Sequence, residues 1–390
     1  MNKSKVVLVP CKDYEQALVN HAIATGFALL GEDANLGEPT QKILLKPNFL
    51  RRASAEKAIT THPAVFEAVG TTLLERGYRD ITYGDSPGNP LVDTPAKVAT
   101  ACGIAEAAGR LGIAAADFDH GKSVSFPQGK YAHSFTLCPG VLQADVLINL
   151  CKMKTHALQR VTGAVKNIYG CIYGLEKGMG HARHSDAQSF AHMLADLHLL
   201  VRPRLHIMDG ITAMEGNGPA GGDPVQMGVL LFSADPVALD SVMCALMHLD
   251  PALVPTNAAC EARGIGRWRW EDIEVVTPDG IISPAEAGTR YGKENFNVSR
   301  QPFVTGGKTM FRSLQNKPVI TRQKCIGCGI CVQSCPVEGK ALVQKQQNCI
   351  PAYDYKKCIR CYCCQEMCPK EAISVKTPLA ARLLGGGTRH

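Results

Sequence analysis

One cysteine spacing occurs twice near the carboxyl terminus and constrains this chain more than any other feature. The pattern Cys-x-x-Cys-x-x-Cys-x-x-x-Cys-Pro runs from Cys325 to Pro336 and again from Cys358 to Pro369. Three thiolates at three-residue spacing on a tight loop can bind one iron–sulfur cubane, and the fourth, on a following helical turn, points to a second cubane. A zinc site would need only two short cysteine pairs, which leaves the proline-terminated fourth cysteines unexplained.

The repeat therefore predicts two [4Fe-4S] clusters, each of which takes its last ligand from the other half of the repeat. The expected ligands of cluster one are Cys325, Cys328, Cys331 and Cys368. Those of cluster two are Cys358, Cys361, Cys364 and Cys335. Residues 320–378 resemble the bacterial two-cluster ferredoxins, which transfer single electrons at low potential. Cys349 and Cys363 fall outside the spacing and are predicted to be structural.

The composition is that of an ordinary globular protein, with 45% hydrophobic and 20% charged residues. Ten of the 17 cysteines lie between Cys325 and Cys368, and the amino terminus lacks the apolar core of a secretory signal. Metal ligation in a reducing compartment explains the cysteines better than disulfides do, so we expect a cytoplasmic protein. The apolar runs are too interrupted to predict a membrane span.

The formal net charge of +7 comes from the carboxyl-terminal segment. From Pro318 onward there are 11 Lys and Arg against 4 Asp and Glu, whereas the preceding 317 residues carry 31 of each sign. A four-thiolate cluster contributes roughly −2, so the excess indicates local compensation and an acidic docking partner rather than nucleic-acid binding. We expect an external electron donor such as a ferredoxin or a flavodoxin.

The larger amino-terminal part alternates short apolar runs with helical patterns, as in KVVLVPC followed by DYEQALVNHAIATGF. This alternation predicts an α/β domain with a mainly parallel sheet and flanking helices, followed by a small α+β ferredoxin-like domain. The predicted units are the α/β domain at 1–310, a linker at 311–319, the cluster domain at 320–378 and a tail at 379–390.

Three local patterns refine this outline. A helix is predicted from about Asp186 to Val201, with a capping box formed by Ser185 and Gln188. Residues 281–317 are rich in glycine and polar side chains and are predicted to be a connector. The run GNGPAGG matches G-x-G-x-x-G, but its prolines and the strand-like run that follows argue against a dinucleotide-binding helix.

Polar side chains gather where the predicted strands end, which is where ligands bind in open α/β sheets. The expected substrate-binding residues are Lys46, Asn48, Asp85, Asn149, Lys152, Lys154, Lys166, Asp209 and Glu215. The ammonium groups of Lys152, Lys154 and Lys166 predict an anionic small molecule, carboxylate or phosphate, with an exposed basic loop as the alternative. His156, or else His184, is the expected proton donor.

Six strings occur together in this chain: ITTHP, GDSPG, INLCKMKTH, GAVKNIYGC, MDGITAMEGNGP and SADPVALD. With them the chain resembles, nearly end to end, the domain of unknown function family 362, a family of uncharacterised iron–sulfur centre proteins. The resemblance implies an α/β domain followed by a two-cluster ferredoxin module, in a cytoplasmic redox protein of anaerobic metabolism. It implies no particular substrate and no catalytic residue.

Three functions are compatible with these residues. The leading hypothesis is an oxidoreductase that passes electrons from the two clusters to an anionic substrate in the amino-terminal domain. The second hypothesis is an electron-transfer or maturation partner whose amino-terminal domain binds another protein. The third is a non-redox enzyme with a divalent metal at Asp85, Asp209 and Glu215, in which the clusters are structural or sense the redox state.

Overall fold

The structure, a computed structural model, describes most of the chain in four ranges. The described residues are 3–90, 92–174, 176–300 and 315–378. The predicted tail at 379–390 lies outside them, as do residues 311–314 of the predicted linker.

A ten-stranded mixed sheet forms the centre of the amino-terminal domain, and a separate two-stranded hairpin lies beside it. The strands of both are β1 (Ser4–Pro10), β2 (Ile43–Lys46), β3 (Ile81–Tyr83), β4 (Ala114–Ala115), β5 (Lys122–Ser125), β6 (Ser134–Leu137), β7 (Val146–His156), β8 (Arg160–Thr162), β9 (Leu205–Glu215), β10 (Asp223–Ser233), β11 (Ile273–Thr277) and β12 (Gly280–Ile282). The order is β12-β11-β1-β10-β9-β7-β2-β3-β4, with β8 on β7. From β9 to β4 all neighbours are parallel, which confirms the mainly parallel sheet.

Helices cover both faces of this sheet. They are α1 (Gln16–Leu30), α2 (Pro63–Glu75), α3 (Pro95–Ala101), α4 (Ile104–Leu111), α5 (Pro139–Gln143), α6 (Ala164–Asn167), α7 (Glu176–Arg183), α8 (Ala187–Val201), α9 (Pro236–Leu246), α10 (Pro255–Glu261) and α11 (Pro284–Tyr291). Successive side chains of a strand point to opposite faces. On β1, Val7 and Val9 therefore join the core under α1 and α2, while Val6 and Leu8 join the core under α9.

Two helix starts differ from the sequence prediction. The N-cap of α8 is Asp186, whose carboxylate accepts hydrogen bonds from the amides of Gln188 and Ser189, so the capping box at Ser185 was wrong by one residue. The segment predicted as connector contains α11, which begins after Ser283 because the serine hydroxyl caps the amide of Glu286.

The glycine run between β9 and β10 is the turn of an antiparallel hairpin. Glu215 pairs with Asp223 at its base, and β10 follows it as a strand. No helix amino terminus therefore follows these glycines, and they offer no phosphate-binding turn of the dinucleotide type.

The cluster domain is small and consists of two similar halves. Its elements are β13 (Lys317–Ile320), α12 (Ile330–Gln333), β14 (Leu342–Val343), β15 (Ala352–Tyr353), α13 (Cys363–Glu366) and β16 (Ile373–Lys376). β13 pairs with β16 and β14 with β15, both antiparallel. The first strand begins at Lys317, inside the segment predicted as linker.

The cluster domain packs against the edge of the sheet at which the parallel strands end. Asn217, in the β9–β10 turn, donates to the carbonyl of Ile373 (3.0 Å) and accepts from Gln365 (2.7 Å) through its own carbonyl. Asn89, after β3, donates to the hydroxyl of Ser334 (2.9 Å). These hydrogen bonds place the cluster domain directly over the strand ends.

Candidate functional site

A cavity of about 300 Å³ lies between the two domains. The α/β domain contributes the segments after β2 and β3, together with α6 and α7, to its wall. The cluster domain contributes residues 333–336, Lys340, Cys363, Glu366 and Met367. A volume of this size is at the lower end of the range for small-molecule sites.

A buried ion pair fixes the strand ends at the floor of the cavity. The Lys46 ammonium lies 2.7 Å from the Asp85 carboxylate, and the other carboxylate oxygen accepts from the amide of Phe49 (2.7 Å). Gly170 passes so close that a Cβ there would lie 1.8 Å from Asp85 Oδ1. The sequence places glycine at this position because the backbone must approach the carboxylate.

A chain of side-chain amides positions α6 beside these strands. Asn48 donates to Asn167 (2.8 Å), Asn167 donates to Asn149 (2.7 Å), and Asn149 donates to the carbonyl of Ala164 (2.9 Å). Asn149 is completely buried and does not line the cavity, whereas Asn48 does. Asn149 thus holds the helix that carries Lys166 and makes no contact with the cavity itself.

Three lysines of the α/β domain line the cavity, and none of them forms an ion pair with another described residue. Lys154 donates to the side-chain oxygen of Asn48 (2.6 Å) and to the carbonyl of Ile59 (2.7 Å). Lys166 lies 5.8 Å from the ring centroid of Tyr169. Lys177 donates to the hydroxyl and the carbonyl of Ser86. All three ammonium groups thus lack a carboxylate partner.

Burial shifts the pKa of each of these lysines downward. It lowers the pKa of Lys177 to about 8, with the Asp85 carboxylate opposing the shift. Burial and then the charges of Lys166 and Lys152 hold the pKa of Lys154 well below its usual value. Burial also lowers the pKa of Lys166, against the pull of Glu366. An anion in the cavity would favour the charged form of each lysine and reverse these shifts.

The histidines occupy three different environments. His156 accepts from the amides of Leu158 and Gln159 through Nδ1, so its other nitrogen, 3.1 Å from the Glu366 carboxylate, carries the proton. Burial lowers the pKa of His156 to about 4. Neither His156 nor His184 lines the cavity; His181 does, and its ring stacks on that of Phe190 at 4.3 Å.

Three predicted site residues lie away from the cavity. The Lys152 ammonium is 2.7 Å from the Asp209 carboxylate, and both side chains are completely buried. Glu215 pairs with Lys293 at 3.1 Å. Because a lysine neutralises each carboxylate, these residues form separate ion pairs. None of them lines the cavity.

The divalent metal suggested for the α/β domain finds no support. Asp85, Asp209 and Glu215 each pair with a different lysine. Within the described parts of the chain, no three His, Cys, Asp or Glu side chains converge as the ligands of a single metal ion.

The four thiols expected at cluster one lie together. Cys325, Cys328, Cys331 and Cys368 line one small cavity. Burial, and then the neighbouring thiols of the other three, raise the pKa of Cys331 to about 12. The amide of Ala372 donates to the Cys368 sulfur (3.2 Å). Such a set of soft sulfur donors fits an iron–sulfur cluster.

The thiols expected at cluster two are also neighbours. Burial raises the pKa of Cys358, and the thiols of Cys361 and Cys335 raise it further. The pKa of Cys364 is raised by burial and by Cys361 and Cys358. The amide of Ala341 donates to the Cys335 sulfur (3.3 Å), as the amide of Ala372 does in the other half. When bound, the two clusters would transfer single electrons.

Comparison with known families agrees with this arrangement. Residues 43–245, more than half of the chain, match the model of the domain of unknown function DUF362. This chain belongs to the DUF362 family. Residues 317–369 match a 4Fe-4S dicluster domain, so the DUF362 domain is joined to an iron–sulfur module with electron-transfer capacity.

The DUF362 chain is also similar to individual proteins. A thylakoid-associated protein of Synechocystis sp. is 36% identical over 268 residues, which are 67% of this chain and 79% of that protein. The lactate racemase apoprotein of Thermoanaerobacterium thermosaccharolyticum matches with a TM-score of 0.38 and 9% identity over 60% of this chain. A structural-genomics protein of Thermotoga maritima matches with a TM-score of 0.36 and 11% identity over 64%.

These similarities support few conclusions about this chain. This chain spans 55% and 59% of the two solved chains, and TM-scores below 0.5 support no functional argument. The name of the Synechocystis relative places that protein at the thylakoid. In the described ranges of the DUF362 chain, no helix combines the length and the apolar character that crossing a membrane requires.

Several cavity residues of this DUF362 chain were not predicted from its sequence. Lys177 lies in the glycine-rich run EKGMGHAR, where a lysine next to a glutamate is typical of an exposed helix face. Lys340 belongs to the cluster domain, and the cysteine spacing says nothing about which residues face the other domain. His181 lies in the same run as Lys177, and its ring contacts those of Phe190 and Tyr169, which lie outside that run.

Proposed function

We propose that this protein is an iron–sulfur oxidoreductase that reduces a small anionic molecule, carboxylate or phosphate, bound in the cavity between its domains. One observation carries the proposal: Lys154, Lys166 and Lys177, none of which pairs with a carboxylate of the described residues, line the same cavity as Cys335, a predicted ligand of cluster two. A cationic pocket beside a cluster ligand brings an anion close to a source of electrons.

Different cavity residues would contact different parts of this anion. Lys166 is bound by no other polar group of the described residues and is free to contact the anion directly. Asn48 and Ser86 add polar groups at the strand ends. Pro90, Met179 and Met367 form an apolar part of the wall, which suits a short carbon skeleton next to the anionic group.

The proposal moves the proton donor from the histidines to a lysine. Neither His184 nor His156 lines the cavity. The Nε2 atom of His156 lies 3.1 Å from the carboxylate of Glu366, which does line it. Lys177 lines the cavity, and burial lowers its pKa to about 8, which is close to the pH at which a general acid works best. We therefore assign proton supply to Lys177 and keep Lys154 and Lys166 as anion-binding groups.

The remaining predictions are part of the same proposal. The two sets of four cysteines hold the two [4Fe-4S] clusters, and an external carrier protein supplies the electrons. The cytoplasm is the proposed compartment, because none of the 17 cysteines is in a disulfide and a reducing compartment keeps cysteines available as cluster ligands. A cavity of about 300 Å³ favours a small molecule over a docked protein as the partner of the α/β domain.

Reoxidation of the reduced protein tests the proposal. Protein purified without oxygen is reduced with dithionite, and small carboxylates and phosphate esters are added singly while the cluster absorbance is followed. We expect at least one compound to reoxidise the clusters, and Lys166→Met to weaken its apparent affinity by about tenfold or more, since a charged hydrogen-bond donor is lost. Lys12→Met, at an exposed position, is the control.

The opposite outcome is equally clear. If no compound of either class reoxidises the clusters or stabilises the protein against heat, the anion-reductase proposal fails. It also fails if Lys166→Met and Lys12→Met behave alike toward a compound that does react, because the reaction would then not use the cavity.

A further inference from the structure

The two predicted cluster seats differ in their exposure to solvent. In the seat of cluster one, Cys328 is exposed and Cys325 is half-buried. The four cysteines assigned to cluster two are all buried: Cys335, Cys358, Cys361 and Cys364. Cys335 is also the residue that faces the cavity between the domains. The seat of cluster one is therefore the outer side of the cluster domain, and that of cluster two is the inner side.

An apolar side chain stands at the centre of this outer side. Ile326, between two ligands expected for cluster one, is 55% exposed and lines the same small cavity as those ligands. Lys370 lines this cavity as well. Gln344 donates to the carbonyl of Gly327 (2.6 Å), so the segment that contains Lys345 is joined to the loop of Ile326. We define the cluster-one face as Ile326 with Arg322, Lys324, Lys345 and Lys370.

The four cations of the cluster-one face are not neutralised within the described part of the chain. All four are exposed, and none of their side chains forms an ion pair or a hydrogen bond with a described residue. Residues 321–333 and 342–353 contain no aspartate or glutamate. Glu371, the acid next to Lys370, already pairs with Arg51 and Lys57 of the other domain.

We propose that the cluster-one face is the docking surface for a small acidic one-electron carrier protein. An exposed apolar residue with unpaired cations on its own loop and on neighbouring segments matches the usual composition of an interface with an apolar centre and a polar rim. Four cations outweigh the charge of roughly −2 that a four-thiolate cluster contributes, so the face attracts a negatively charged partner. The inference rests on the proposed electron-transfer role of the clusters but not on the identity of the anion in the cavity.

Binding and electron transfer are both measurable with a defined probe. The probe is an acidic flavodoxin, because its flavin absorbance is distinct from that of the clusters. The test variant is Lys324→Glu/Lys345→Glu in the iron-loaded full chain. The matched control is Lys3→Glu/Lys42→Glu, which changes the net charge equally at the amino-terminal edge of the sheet, just before β1 and β2. Iron content establishes that each variant keeps its clusters.

We expect the test variant to bind the flavodoxin about tenfold more weakly at low ionic strength, and the control to bind like the wild type. Wild-type affinity should also fall as salt is added. Reduction by the small methyl viologen radical should not slow in the test variant, because it needs no docked protein. Equal affinity of wild type and test variant, or an equal loss in the control, would overturn the inference.

These measurements contain no small-molecule substrate. Failure of anion reduction would leave the flavodoxin result unchanged, and failure of flavodoxin binding would leave the cavity chemistry unchanged. The two proposals therefore stand or fall separately.

Discussion

At the scale of single residues, two lysines that look equivalent in the sequence have different surroundings. Lys152 and Lys154 are two positions apart on β7, so their side chains lie on the same side of the strand. Lys152 nevertheless faces Asp209 on β9, whereas Lys154 faces the amide of Asn48. The neighbouring elements determine which lysine forms a buried ion pair and which one lines the cavity.

The buried pair gives a prediction about stability. Lys152→Met should lower the free energy of unfolding by about 3–5 kcal/mol, because it leaves the completely buried Asp209 carboxylate without its cation. Urea unfolding of the iron-loaded protein measures the loss. Lys12→Met, whose side chain is 77% exposed and only loosely paired, should change stability by less than about 0.5 kcal/mol. Equal stability of the two variants would contradict the structural role given to Lys152.

The sequence predicted the kinds of chemistry at this scale better than the positions. Cysteine spacing identified two groups of four thiols, because each ligand loop is short and its geometry is local. Asn48, Asp85, Lys154 and Lys166, which the sequence analysis expected at the strand ends, all line the cavity. Lys177 was missed, because its burial arises from contacts with Ser86 and Ile172, which are distant from it or outside its helix.

At the scale of elements, α8 illustrates how a helix start is fixed by one side chain. Ser185 and Gln188 have the spacing of a capping box, but the carboxylate of Asp186 lies where it accepts from two free amides. A carboxylate at a helix start is also favoured by the positive end of the helix dipole. The N-cap of α8 is therefore Asp186 and not Ser185.

This assignment predicts different effects for adjacent alanine substitutions. Asp186→Ala should lower the free energy of unfolding by about 1 kcal/mol, because the amides of Gln188 and Ser189 lose their acceptor. Ser185→Ala should have an effect below about 0.5 kcal/mol. Parallel urea titrations of both variants measure the difference, and a larger loss for Ser185→Ala would return the cap to the serine.

Alternation of strand and helix patterns was sufficient to predict the α/β class and the parallel half of the sheet. It did not predict that β10 would be antiparallel to both of its neighbours. The physical reason is the length of the connection, because the short turn at Gly216–Gly222 cannot contain the crossover that parallel strands need. The same sequence feature that argued against a dinucleotide site therefore also sets the strand direction.

At the scale of the whole molecule, the site depends on a contact between domains that neither domain pattern encodes. The strand-end rule located one wall of the cavity, and the cysteine spacing located the other. Their apposition depends on polar contacts such as those of Asn217 and Asn89, and on the close approach of Gly88 to Met367. Asn217 and Gly88 stand in strings that the sequence analysis singled out, but those strings do not indicate a contact with the cluster domain.

The crossed arrangement of ligands gives a prediction for the cluster domain as a whole. Cys325→Ser and Cys368→Ser, 43 positions apart in the chain, should each lower the iron content from about eight to about four atoms and remove the same paramagnetic signal of the reduced protein. Iron analysis and electron paramagnetic resonance measure both effects.

Cys349→Ser is the matched control, because Cys349 is exposed and outside both groups. It should retain all of the iron and both signals. The crossed arrangement is wrong if Cys368→Ser removes the signal that Cys358→Ser removes and leaves the one that depends on Cys325.

The cavity has one wall from each domain, and this has a consequence for how the protein matures in the cell. A metal-dependent segment acquires its shape when the metal arrives, so we expect the wall to which Lys340, Glu366 and Met367 belong to be completed by the insertion of both clusters. Newly made chains without iron would then not bind the anion. Cells short of iron would contain inactive protein, and the fraction of protein with the anion bound would measure how much of it has received its clusters.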